Sequence, residues 1–237
     1  DFNVLFNYFF PEVFQGKVTP EGVDPAVLNN WGTYLFAATN AVTSEPTKAA
    51  TLLRVARVAV DPADPAAALS AILNILRYNV FATNDAIAKL AGSGTPFDNT
   101  QRWYWGSGRD FHLNRTVQRV TGDPAARADV AAHYETTGDL DIPYVSLHTT
   151  GDEVVRFEQQ PWYRLKAWRS GSAWEHSALP IFRYGHCAFE EGDLEVGLGL
   201  LMLKMGFATP TALTTVMPTP AARKNFERMS KEMRIIR

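Results

Sequence analysis

The apolar positions of this chain fall into helical stripes over its first half and change texture near residue 140. In 47–60, Leu52, Val55, Ala56 and Ala59 recur at helical spacing behind the start signals Ser44 and Pro46. In 65–81 the stripe is Leu69, Ile72, Leu73, Leu76 and Val80, one face of a helix. Segment 26–42, behind the turn-rich Pro20, Gly22 and Pro25, predicts a further helix, and 83–91 another that stops at Gly92. No period-two alternation persists in this block. From 92 to 108 the chemistry is that of a loop. It reads Gly92-Ser93-Gly94-Thr95-Pro96, then Asp98-Asn99, then Trp103-Tyr104-Trp105-Gly106-Ser107-Gly108. Helical patterns resume at 109–119 and 124–135, the latter opening on Asp123-Pro124, a cap followed by a first-turn proline.

The next segment, Ile142-Pro143-Tyr144-Val145-Ser146-Leu147-His148, is rich in β-formers and bounded by Gly138 and Gly151, which predicts a strand. A helix near 159–169 with Pro161 in its first turn follows, then a strand at 177–184 holding Leu179, Ile181, Phe182 and Tyr184. A helix at 190–205 ends at Gly206. Strand, helix, strand, helix is the signature of a parallel sheet with crossovers. Two strands alone leave unpaired edges, so further strands are expected from outside this sequence. The tail runs through Pro210, Pro218 and Pro220 into a helix at 220–235. Its Arg223, Lys224, Arg228, Lys231, Arg234 and Arg237 outnumber Glu227 and Glu232, as on a solvated helix face. The organisation predicted is a helical block at 1–122, an α/β segment at 123–209 and a tail helix within 210–237.

The first residues are unusually aromatic: Phe2, Leu5, Phe6, Tyr8, Phe9, Phe10 and Phe14. Exposing such a cluster to water is unfavourable. The expectation is that the sequence starts inside a larger protein or stays with a partner; the alternative is a segment that packs back on its own core. Composition narrows the rest. The chain has 237 residues, 46% hydrophobic and 20% charged, with a net charge of -2. Its pI near 6.2 gives no general attraction to nucleic acid or to acidic membranes. No apolar run approaches the roughly 20 residues that span a bilayer. One cysteine, Cys187, excludes an internal disulfide and leaves the compartment undecided.

Two places carry chemistry. Leu147-His148-Thr149-Thr150-Gly151-Asp152-Glu153-Val154-Val155 ends the first strand of the α/β segment, and Tyr184-Gly185-His186-Cys187-Ala188-Phe189 ends the second. Loops at the C-terminal ends of parallel strands face one crevice, where ligands bind. Asp152 can accept from one imidazole nitrogen of His186, and the other nitrogen can act as base for a hydroxyl nucleophile. The plain alternatives are an Asp that caps its turn and a structural histidine. Cys187 adjoins His186, but neighbouring side chains diverge, which argues against it as a nucleophile. His148 and Glu153 flank the pair and are candidates for tuning it, although His148 on a core strand reads as a satisfied structural histidine. His112, His133 and His176 show no metal-ligand spacing, so no metal or cofactor is expected. Trp103, Tyr104 and Trp105 are candidates for lining a substrate pocket, with loop anchoring as their plain role.

At these residues the chain resembles the α/β-hydrolase superfamily. The proline-led strand ending in Gly151-Asp152-Glu153-Val154-Val155 is similar to the segment that supplies the triad acid there. Gly185-His186-Cys187-Ala188-Phe189 is similar to the loop that supplies the histidine. Their 34-residue separation, with one helix and one strand between, suits that superfamily, and so does the order of acid before histidine. The likeness covers about 123–206, a third of the chain. Tyr134-Glu135-Thr136-Thr137-Gly138 and Asn99-Thr100-Gln101-Arg102-Trp103-Tyr104 bring it closer to bacterial esterase and peptidase-like members. The resemblance implies the C-terminal part of an α/β-hydrolase sheet, with the helical block as its cap or lid. It also implies an ester or amide substrate, esters being preferred.

One departure matters. Nucleophile elbows of that superfamily read Gly-x-Ser-x-Gly on a strand-to-helix turn, and this chain has none. Gly92-Ser93-Gly94 and Gly106-Ser107-Gly108 lack the glycine at the right offset. The resemblance therefore implies that the serine and the oxyanion hole come from an N-terminal half or a second chain, which would also cover the sheet edge; a strand-paired homodimer is the alternative cover. Alone, the chain is expected to be inert. The competing expectation is a non-catalytic binding module that keeps Asp152 and His186 as inherited structure.

Overall fold

The computed structural model describes residues 1–90, 94–217 and 219–235. Gly92, Ser93, Pro218 and Arg237 of the motifs above lie outside them. Two compact units divide the chain, Asp1–Glu135 and Thr136–Arg237.

The first unit is helical apart from one short hairpin. It begins with α1 (Phe2–Phe9) and α2 (Pro11–Phe14), where Pro11 occupies the first turn that tolerates it. The antiparallel β1 (Val18–Thr19) and β2 (Gly22–Val23) follow. In α3 (Pro25–Asn29) the Asp24 side chain accepts from Ala26 N. Then come α4 (Trp31–Ser44), α5 (Pro46–Ala56) and α6 (Ala67–Lys89), with α7 (Asp110–Thr116) and α8 (Pro124–Asp129) beyond the loop; a single π turn, Val130–Tyr134, extends α8.

The aromatic start follows the alternative reading, in which the segment packs back on its own unit. Phe2, Phe6, Phe10 and Phe14 are buried within their own unit, where α1 packs on α5 and α6. The Phe6 ring lies 5.3 Å from that of Phe10 and 5.5 Å from that of Phe14. These side chains form a core rather than a face held open for a partner. One difference from expectation is that 67–89 forms one helix rather than two: α6 runs unbroken through Thr83-Asn84. The Asn84 side chain is taken up by β2, accepting from Val23 N and donating to Val23 O.

The second unit is mixed α/β. Parallel strands β3 (Tyr144–Gly151) and β4 (His176–Tyr184) pair with Leu147 opposite Leu179 and Thr149 opposite Ile181. Helix α9 (Gln159–Arg169) connects them, and α10 (Glu191–Lys204) follows β4. Among the described residues, β3 and β4 pair only with each other. One face of the pair carries Leu179, Ile181, Val145 and Leu147 against Val196 and Leu200 of α10. That layer is backed by α11 (Pro210–Val216) and α12 (Pro220–Ile235), with Phe226 fully buried. A reciprocal box of Glu190 and Asp193 starts α10, so that its first N–H groups are satisfied just after the loop carrying His186.

Candidate active site

Both chemistry-bearing loops leave the C-terminal ends of neighbouring strands and are tied together at their roots. Thr149 Oγ1 donates to Gly185 O at 2.7 Å, and Gly185 N donates to Gly151 O at 3.2 Å. A Cβ on Gly151 would lie 2.4 Å from the Tyr184 ring and 3.0 Å from its Cα, so no larger residue fits there. Gly185 has φ +103, a region that favours glycine. These constraints seat Asp152 and His186 side by side.

Asp152 is only 4% exposed, yet its carboxylate is fully served. Oδ1 accepts from Val154 N at 2.8 Å and from Val155 N at 2.7 Å. Oδ2 lies 2.9 Å from His186 Nδ1. A carboxylate can only accept, so Nδ1 carries the proton and Nε2 is the basic nitrogen. The His186 ring is a quarter exposed. The predicted acid and histidine are thus brought together in the order that proton transfer requires.

One of the two flanking residues differs from expectation. Cys187 does not diverge from its neighbour. It adopts φ +53, and its exposed thiol lies 3.7 Å from His186 Nε2, within reach of a weak S–H to N contact. His148 is a hydrogen-bonded strand histidine, its Nε2 2.8 Å from Val155 O and also 3.6 Å from Asp152 Oδ2.

The aromatic candidates belong to the first unit. Tyr104 is buried and fixed by hydrogen bonds: its hydroxyl accepts from Asn99 Nδ2 at 3.0 Å and donates to Asp1 Oδ1 at 2.9 Å. Trp103 and Trp105 keep exposed rings tilted against each other, and Trp103 meets Phe111 edge-on. Ser107 opens the turn into α7, where its hydroxyl donates to Asp110 Oδ1 at 2.6 Å, and among the described residues no strand leads directly into it. His112 lies near the Tyr8 ring, and His133 pairs with Asp129 at 2.7 Å. No group of potential metal ligands occurs among the described residues.

A polar cluster in the second unit has no signature in the sequence. His176, 8% exposed, stands between Tyr144, stacked at 5.4 Å, and Tyr163, edge-on at 5.1 Å. Ser146 donates to Gln160 Oε1 at 2.8 Å, so His176 Nε2 donates to Ser146 Oγ across 2.7 Å. Nδ1 is buried with no hydrogen-bond partner. Burial, and then the charges of Arg164 and Lys204, push this imidazole down to about 4. The folded state therefore binds the proton less readily than the unfolded chain. Its contribution to stability is complete above pH 6.5 and is lost as the pH falls toward 4, by up to about 3 kcal/mol. Urea unfolding at pH 7 and at pH 4.5 should show a larger acid loss for the native chain than for His176→Gln; equal losses would exclude His176 as the sensor.

The chain matches no family model, no curated protein and no solved structure. No helix among the described residues is long and apolar enough to cross a membrane.

Proposed function

We propose that this chain is the acid-and-histidine part of a serine hydrolase of the α/β-hydrolase class, acting on carboxylic esters. The observation that carries the reading is the buried Asp152 carboxylate, held by two backbone N–H groups and joined to His186 Nδ1 at 2.9 Å. Both residues stand at the C-terminal ends of adjacent parallel strands, where sheets of this kind place their ligands. In the proposed reaction His186 Nε2 takes the proton of a serine hydroxyl as that oxygen attacks the ester carbonyl. It then returns the proton to the departing alkoxide. Asp152 holds the tautomer and favours the imidazolium formed between the two steps. The serine and the oxyanion donors lie on polypeptide beyond this sequence, which also extends the sheet from the edge of β3 or β4.

A second reading rests on Cys187, whose sulfur already lies beside the basic nitrogen. Here the thiol itself is the nucleophile that His186 deprotonates.

One experiment separates the readings. The native preparation is treated with a serine-reactive phosphonate or with iodoacetamide, then its intact mass is measured under denaturing conditions. The expected result is phosphonate on a second polypeptide, lost when this chain carries His186→Ala. Rapid alkylation of Cys187 that collapses in His186→Ala would favour the thiol reading. Neither label would leave a non-catalytic binding module and end the hydrolase proposal.

A further inference from the structure

The acid of the pair sits in a turn, and the structure contains a device that fixes this turn from the strand behind it. His148 belongs to β3, four residues before Asp152. Val145 and Leu147 point into the layer shared with α10, so strand alternation sends His148 to the opposite face. There its ring is 14% exposed and meets Phe157 edge-on at 5.8 Å. Its Nε2 lies 2.8 Å from Val155 O. A carbonyl only accepts, so Nε2 carries the proton and donates it. Val155 is the same residue whose N–H donates to Asp152 Oδ1 at 2.7 Å. Residue 155 is therefore gripped on both sides: its N–H by the acid, its carbonyl by His148.

The same Nε2–H is 3.6 Å from Asp152 Oδ2. That is too long to compete with the 2.9 Å bond from His186, but close enough to set a donor dipole against that oxygen. We propose that His148 is a positioning residue for Asp152: it clamps the 152–155 turn through Val155 O and so aims Oδ2 at His186 Nδ1. The inference rests on the reading of Asp152 and His186 as an acid–base pair and gives that pair a third member. In this proposal His148 acts only through the turn that holds Asp152.

The test uses the full chain labelled with 15N-histidine, and needs no nucleophile and no turnover. In the native chain His148 is expected as the Nε2–H tautomer, with that proton protected from solvent. His186 is expected as Nδ1–H, with a far-downfield proton that Asp152→Asn abolishes. His148→Phe keeps the ring packing and removes the donor. It should speed exchange of the His186 Nδ1 proton roughly tenfold, the scale of one lost hydrogen bond, and admit the Nε2–H tautomer of His186. His148→Gln, which can return an N–H donor to Val155 O, should restore both toward native values.

Native-like His186 signals in His148→Phe would reduce His148 to packing. A Nδ1–H tautomer or an unprotected Nε2 proton at His148 in the native chain would overturn the clamp even where His148→Phe fails to fold. If the native chain and Asp152→Asn gave the same His186 signals, the acid–base pair itself would fall. That outcome differs from one in which the pair persists and His148 proves indifferent.

Discussion

On the hydrolase proposal, Asp152→Asn should lower turnover of the proposed complete enzyme by about ten-thousand-fold while leaving this unit folded. The expectation follows from how the carboxylate is held. Val154 N and Val155 N both donate to Oδ1, so the amide oxygen of an asparagine must stay at that end. Its NH2 group then takes the place of Oδ2 and faces His186 Nδ1, 2.9 Å away in the native chain. Two donors cannot share that contact, so the imidazole shifts its proton to Nε2 and turns its bare Nδ1 toward the amide. In that tautomer Nε2 cannot accept the proton of a nucleophile, and a loss of roughly 10⁴ is the scale for a triad histidine locked in the wrong tautomer. The measurement is kcat for a chromogenic ester, together with 15N shifts of His186. A variant that kept more than about a tenth of native turnover would remove Asp152 from the proposed mechanism. Little change in unfolding free energy is expected, because the turn keeps both backbone hydrogen bonds.

The elements that set up this pair were readable in the sequence because their signals are local. A short β-rich run between Gly138 and Gly151 marked β3, and first-turn Pro161 and Pro220 marked α9 and α12. Asp152 and His186 could be named because crossover topology puts the ends of adjacent parallel strands together. The roles of their neighbours were not readable. Ser146 and His176 meet across 30 residues, through the pairing of Tyr144 with His176. Such contacts depend on register, which no local pattern displays. The sequence read as two helices, 65–81 and 83–91, whereas α6 runs through and its Asn84 amide serves β2 from 61 residues away. Cys187 was expected to point away from His186, as adjacent side chains do in ordinary backbone. Its left-handed conformation brings the sulfur back to the ring. In each case a long-range partner or an unusual φ decided the outcome.

The same distinction bears on the aromatic start, where composition showed a cluster without showing what covers it. Phe6→Ala should destabilise the Asp1–Glu135 unit by about 3–5 kcal/mol, the usual cost of deleting a fully buried aromatic ring. Phe6 has no exposed surface and is ringed by Phe2, Phe10 and Phe14, with centroids 6.5, 5.3 and 5.5 Å away. Removing it leaves a cavity that cannot collapse without shifting α1 against α5 and α6. Phe9 is a sharper control than a surface residue, since it lies on the same helix, half-buried, with an edge contact to Tyr8 at 5.0 Å; Phe9→Ala should cost markedly less. Denaturant unfolding of the full chain, followed by hydrogen exchange in peptides from α1, α5 and α6, reads the two variants against native protein. If these rings instead awaited a partner, truncating Phe6 in the unaccompanied chain would relieve exposed apolar surface, and stability would change by less than about 1 kcal/mol. A loss of several kcal/mol, with faster exchange in all three helices, identifies the cluster as the core on which the helical unit is built.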